Sequence, residues 1–243
     1  MIDSENHIAE SPAQRYLALC AEVAERCRAC GRNPDEITIV AVSKNAAAAA
    51  ASEVVRAGAG DLGENRVQEL IAKQTVLESE GLSPRWHLIG SLQTNKVRQV
   101  VGRTALIHSV DRIGLAEEIG RCSVRSGMTT PVLLQFNLSH EESKHGFDES
   151  EAERALDACS RIPGICMEGL MTMAPLAGGS SAAAQAFDTA RRLFERLRDS
   201  GVADPDVFCR LSMGMSGDFP EAIRAGATII RVGSAVFGVR HPL

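Results

Sequence analysis

Eight short apolar runs, each bounded by turn-forming residues and separated from the next by a stretch that favours helix, alternate along this chain. The candidate strands are Ile37 to Ser43, Asp61 to Leu62, Trp86 to Ile89, Leu106 to Ser109, Val132 to Asn137, Met167 to Met171, Val207 to Leu211 and Ile229 to Val232. Helices are predicted between them over Ala46 to Ala57, Asn65 to Ser79, Gln93 to Val100, Ile113 to Ser126, Ser150 to Arg161, Ala182 to Ser200 and Asp218 to Ala225. A spacing of roughly 27 residues per strand-helix unit suits a compact eight-fold barrel. Strands joined through helices run parallel, and such a sheet must be covered on its outside. The expected fold is therefore a (β/α)8 TIM barrel, with an open doubly wound sheet as the alternative. A further helix over Pro12 to Ala29, closed by Gly31, precedes the first strand. One domain is expected over 1–243, with the leading helix in 1–31 and the barrel in 37–238.

The grammar repeats locally. Arg56-Ala57-Gly58-Ala59 and Arg224-Ala225-Gly226-Ala227 each end a helix on a glycine just before a short strand. The six alanines Ala46 to Ala51 read as the opening of a helix, not a linker, and the loosest stretch, Ala177 to Ala184, fits a loop entering a helix. The composition is that of a globular protein, 44% hydrophobic and 23% charged over 243 residues. A net charge of −5 supplies no footprint for nucleic acid or an anionic membrane. No apolar run approaches the roughly 18 residues needed to span a bilayer. The first residues carry Asp3 and Glu5 with no apolar core, unlike a secretory signal. Seven scattered cysteines, an odd number, read as reduced thiols. A cytoplasmic protein without nucleic-acid or membrane partners is expected, and the Asn137-Leu138-Ser139 triplet is then incidental.

Three motifs are decoys on this reading. Gly58 to Gly63 matches G-x-G-x-x-G, but its first glycine closes a helix and a strand lies inside it, whereas a dinucleotide fingerprint occupies a strand-to-helix turn. Cys27 and Cys30 form C-x-x-C in a helix end without a second ligand pair. The stretch from His140 to His145 fits a solvated loop better than a metal cluster. His87 and His108 either face the barrel mouth or are hydrogen-bonded core residues.

In such a barrel, chemistry sits at the C-terminal ends of the strands, and phosphate commonly binds after strands seven and eight. The first strand ends at Lys44, where partial desolvation would make the amine a nucleophile toward an aldehyde or ketone. A solvated lysine flanking a strand is the plainer alternative. The loops Leu211 to Asp218 and Arg231 to Gly238 are rich in small residues whose amides can approach an anion. Together these features point to a phosphorylated aldehyde or ketone, either pyridoxal phosphate (PLP) or the sugar phosphate of an aldolase.

Eight collinear segments carry a resemblance. They are AVSK ending at Lys44, GENRVQEL from Gly63, WHLIGSLQTNK from Trp86, IHSVDR from Ile107, EESKHGF from Glu141, GLMTMAP from Gly169, LSMGMSGDFPEAI from Leu211 and RVGSAVFG from Arg231. In these the sequence resembles the pyridoxal phosphate homeostasis proteins (the YggS/PROSC family), whose fold is the alanine racemase N-terminal barrel. The resemblance implies that Lys44 holds the cofactor as a Schiff base and that Asn65 lies beside its ring. It further implies that Ser212, Gly233 and Ser234 hold the phosphate with backbone help from Met213, and that Arg231 meets the pyridine nitrogen. One departure is that Lys44 is followed by Asn45 and alanines, where the family continues with Thr, Lys or His, and Pro.

Arginine can only donate, so the nitrogen facing Arg231 stays unprotonated and the ring is a weaker electron sink. Racemases of this fold bring a second acid/base, a tyrosine, from a separate C-terminal domain. Here five residues follow Gly238, and the one tyrosine, Tyr16, is in the leading helix. The expectation is a monomeric PLP carrier or buffer, without turnover, that serves apo PLP-dependent enzymes. The alternatives are a racemase or lyase using His87 or another mouth residue as second base, and a lysine-dependent aldolase.

Overall fold

Ser11 opens the first helix, α1 (Pro12–Ala29). Its hydroxyl accepts from the Gln14 N–H at 3.3 Å, and the Gln14 side chain accepts from the Ser11 N–H at 2.9 Å, with Pro12 at the first helical position. Tyr16, Leu19, Val23 and Cys27 form its buried stripe. The computed structural model describes residues 10–139, 141 and 145–238.

Eight units follow. They are β1 (Thr38–Val42) with α2 (Ala48–Arg56), β2 (Asp61–Glu64) with α3 (Val67–Ser79), and β3 (Arg85–Leu88) with α4 (Val97–Val100). Next come β4 (Leu106–Val110) with α5 (Ile113–Arg125), β5 (Thr130–Gln135) with α6 (Ala152–Ser160), and β6 (Ile165–Met171) with α7 (Gly179–Arg198). The last are β7 (Arg210–Ser212) with α8 (Phe219–Arg224) and β8 (Ile229–Val232) with α9 (Ser234–Phe237). All neighbouring strands are parallel, and β1 pairs with both β2 and β8, Ala41 facing Leu62 and Thr38 facing Ile229. The sheet therefore has no edge, which rules out the open doubly wound alternative. Helix α1 packs outside the barrel against α2, α8 and α9.

All eight expected strands are present, and the differences are at their ends. Helix α2 starts two residues later than the alanine run suggests. Asn45 takes a left-handed conformation (φ 58°), which asparagine tolerates, and the Ala46 N–H donates back to the Ser43 carbonyl at 2.8 Å, making a turn before the helix. Strand β7 is shorter than expected, because Val207 and Phe208 donate to the Asp204 carbonyl in a turn instead of joining the sheet. Strand β2 runs on through Glu64, crossing the G-x-G-x-x-G match as anticipated. Gly58 and Gly226, the glycines of the repeated motif, both have positive φ (107° and 96°), as a helix-ending glycine should. Helix α9 opens directly after the last strand, where the small-residue loop was expected to lead into a helix, and it is a single turn.

Strand side chains alternate between two cores. Outward-facing Leu62, Leu88 and Leu211 pack under helical residues such as Leu70, Ile119 and Phe187. Inward-facing Val40, Val42, Leu106, Leu133, Met171 and Ile229 form a smaller apolar cluster. Barrels of this kind can be filled by layers of branched apolar side chains. This one also buries Asp61, His87, His108, Ser212 and Arg231. The seven cysteines are free thiols. Among the described residues no helix is long and apolar enough to cross a membrane, and no group of three His, Cys, Asp or Glu could hold a metal ion. Most of the stretch from His140 to His145 lies outside the described residues.

Candidate functional site

A cavity of about 420 Å³ opens where several strands end. It is lined by Lys44 after β1, Asn65 after β2, Ile89 after β3, Met173 after β6, Met215 to Gly217 after β7, and Gly233 and Ser234 after β8, with Val42 and Arg231 from the strands themselves. The volume is that of a small-molecule site. A larger cavity of about 600 Å³ lies at the opposite end of the barrel. Its arginines are already matched to acids, Arg32 with Glu36, Arg191 with Glu195, Arg198 with Asp199 and Arg224 with Glu221, and it holds no lysine. Chemistry therefore favours the smaller cavity.

Lys44 is exposed to the cavity mouth, so the desolvation expected for it from the sequence is not seen. What precedes it is firmly held. Glu64, fully buried, accepts from the Ser43 hydroxyl at 2.6 Å and from the Lys73 ammonium, and Lys73 also donates to the Ser43 carbonyl. Burial pushes the Glu64 carboxyl above its ordinary value despite these partners. The backbone N–H of Asn45, next after Lys44, donates to Glu69 at 3.1 Å. The peptide carrying the amine is thus fastened to α3 on both sides. Asn65 is fixed by close packing, since a Cβ on Gly90 would stand 2.5 Å from the Asn65 carbonyl oxygen.

The adjoining wall, after β7 and β8, is lined with small residues. The Ser216 hydroxyl accepts from the N–H groups of Gly233 (3.2 Å) and Ala235 (3.3 Å), so two backbone donors there already converge on one oxygen. An anionic oxygen would find the same donors. Asp218 accepts from the Met215 N–H and pins the loop after β7.

Arg231 is 4% exposed; burial pulls its pKa down to about 10, which leaves it cationic at neutral pH. It donates to the Ser212 hydroxyl at 2.6 Å and to the Thr172 carbonyl at 2.9 Å.

Of the expected site residues, the structure brings Lys44, Asn65, Arg231, Gly233 and Ser234 to one cavity. It does not bring Ser212 or Met213 there. Strand alternation turns Ser212 into the barrel, where its hydroxyl is engaged by Arg231 and by His108 at 2.9 Å. Met213 points into the outer core, and its N–H donates to the Ile229 carbonyl at 3.1 Å. Ser216 and Gly217, a few residues on, reach the cavity instead. The signal for them was present in the Met215-Ser216-Gly217-Asp218 turn, but a loop's reach is not readable from its composition. The Lys73 brace was also missed, because Lys73 follows Glu64 by nine residues and lies beyond the GENRVQEL segment, in the middle of α3.

His87 and His108 lie in the interior, not at the mouth. His87 Nε2 is 2.9 Å from Asp61 and its Nδ1 is 2.9 Å from His108 Nε2. Burial drives His108 well below the usual histidine value, with His87 and Arg231 adding to the effect. Burial alone would raise the Asp61 carboxyl, but hydrogen bonds from His87 and Arg85 outweigh it and leave it below the ordinary carboxylate value.

Residues 18–241 match the family model of the alanine racemase N-terminal domain. A relative from Aquifex aeolicus named pyridoxal phosphate homeostasis protein is 35% identical over 228 residues, covering 93% of this chain and 97% of its own. A crystal structure of a protein from Bifidobacterium adolescentis superposes with a TM-score of 0.88 at 33% identity, covering 93% of this chain and 94% of that one. PipY of Synechococcus elongatus, solved with PLP bound, is 37% identical with a TM-score of 0.77, covering 89% of this chain and all of PipY.

Proposed function

This chain belongs to the family of pyridoxal phosphate homeostasis proteins, and from that membership we propose that it binds PLP covalently through Lys44 and holds it as a carrier or buffer without turnover. The observation that carries this reading is the meeting, in one cavity, of a primary amine and a wall of small residues whose backbone N–H groups converge on one oxygen position. When bound, PLP supplies an aldehyde that condenses with a primary amine. Lys44 brings the amine, held in place by the Ser43, Glu64 and Lys73 brace behind it. Ser216, Gly217, Gly233 and Ser234 hold the phosphate, Asn65 lies beside the ring, and Arg231 directs its donors toward the ring nitrogen. A permanent cation there keeps that nitrogen unprotonated, which weakens the ring as an electron sink.

Among the described residues, the ionisable groups on the cavity wall are Lys44 and Arg231. The racemase or lyase reading needs a second acid/base, and His87, the candidate, is 2% exposed and tied to Asp61 and His108. The aldolase reading has the same lysine but draws no support from the relatives. We propose further that the protein acts in the cytoplasm as a monomer that takes up PLP and passes it to apo PLP-dependent enzymes. Incubating the loaded protein with a panel of amino acids is expected to perturb its visible band without racemisation or elimination. Turnover abolished by Lys44→Ala would overturn the carrier reading.

A further inference from the structure

The polar groups inside the barrel make one continuous line. Arg231 Nη1 lies 2.6 Å from Ser212 Oγ, Ser212 Oγ 2.9 Å from His108 Nδ1, His108 Nε2 2.9 Å from His87 Nδ1, and His87 Nε2 2.9 Å from Asp61 Oδ1. Asp61 then accepts from Arg85 through both oxygens at 2.8 and 2.6 Å. Asp61 and Arg85 open their strands, so the line runs from the N-terminal end of the barrel to the cavity at its C-terminal mouth.

Its direction follows from donor and acceptor counting. A guanidinium only donates, so Ser212 accepts from Arg231. The hydroxyl's own hydrogen finds an acceptor among its contacts in His108 Nδ1, so the arrangement that satisfies it has Ser212 donating there. His108 then carries its hydrogen on Nε2 and donates to His87 Nδ1. His87 in turn carries its hydrogen on Nε2 and donates to the Asp61 carboxylate. In this arrangement every hydrogen points the same way and neither ring needs a second proton, which suits the complete burial of His108. The other charge near His108 is Arg210, ion-paired with Glu168 at 2.6 Å.

We propose that Ser212, His108, His87 and Asp61 form a one-way hydrogen-bond relay that positions Arg231 at the cavity and links its charge to the Asp61–Arg85 ion pair at the far end of the barrel. Ser212, His108, His87 and Asp61 are positioning residues, because they act on the ligand only through Arg231. Aligned bonds polarise one another in a low-dielectric interior, so the anion at one end strengthens the acceptor that Arg231 meets at the other. The role of Arg231 toward PLP rests on the binding reading above; the order of the relay does not.

Two measurements separate these claims. In ligand-free protein with 15N-labelled histidine, nuclear magnetic resonance should find His87 and His108 both neutral with the proton on Nε2. An Nδ1–H tautomer or an imidazolium at either residue overturns the relay. With 15N-labelled PLP bound, His108→Phe should still fix the cofactor on Lys44 after borohydride reduction, yet move the ring-nitrogen shift and weaken binding about tenfold. His108→Gln, which keeps one acceptor and one donor, should restore both. Asp61→Asn, which removes the terminal charge and retains an acceptor, should move the ring-nitrogen shift in the same direction by less, and serves if His108→Phe does not fold. An unchanged ring-nitrogen shift overturns the link to Arg231. Failure of the wild-type protein to bind PLP would instead sink the binding reading, leaving the tautomers to judge the relay.

Discussion

Lys44→Ala protein is expected to emerge from purification colourless and to be colourless again once added PLP has been removed by desalting. Of the chain's four lysines (Lys44, Lys73, Lys96 and Lys144), Lys44 is the one on the cavity wall. Lys73 is buried against Glu64 and Ser43 on the other side of the strand ends. Removing Lys44 leaves the small-residue wall intact, so weak and reversible affinity through the phosphate should remain. A loss of at least about a hundredfold, equivalent to roughly 2.8 kcal/mol, is the expected scale. The substitution should not alter folding, because the side chain is exposed. A visible band retained at wild-type strength would show that another amine carries the cofactor.

Lys73→Met is expected to be the most destabilising single change near the site. It leaves Glu64 buried with a charge and without its cation, a loss of the kind that typically costs roughly 3–5 kcal/mol. In a chain of this size that corresponds to a fall in Tm of roughly 6–20 °C. The carboxyl of Glu64 already lies above its ordinary value because burial outweighs Lys73 and Ser43, and removing Lys73 moves it further up. A carboxyl raised on folding adds to stability below its unfolded pKa of about 4.3, and that contribution disappears as pH rises through the folded value. The deficit of Lys73→Met should therefore be largest at neutral pH and shrink on acidification. Pairing it with Glu64→Met removes the stranded charge and should recover most of the stability. A deficit under about 1 kcal/mol at pH 7, or no recovery in the double variant, would contradict the role given to this ion pair.

The barrel was legible because its determinants are local. Short apolar runs bounded by turn residues and glycines such as Gly58 and Gly226 at helix ends act within a few residues of one another, and the regular unit length repeats them eight times. Boundaries were less legible where a single backbone hydrogen bond decides them, as in the turn at Asn45 or the one that Asp204 imposes before β7. The site followed the same division. Lys44, Asn65, Arg231, Gly233 and Ser234 sit at strand ends, which the fold class places together. Ser212 and Met213 were misplaced because the decision between barrel interior and mouth depends on where β7 stops. The buried histidines carried a readable hint, each being the third residue of its strand, His87 between Trp86 and Leu88 and His108 after Ile107. Their link to Ser212, 104 residues beyond His108, exists only once the barrel closes.

Borohydride reduction of the PLP-loaded protein followed by peptide mass spectrometry puts the covalent claim to its plainest test. A single pyridoxyl group on Lys44, absent from Lys44→Ala, is the expected result. A label on Lys73, Lys96 or Lys144, with Lys44 unmodified, would contradict it.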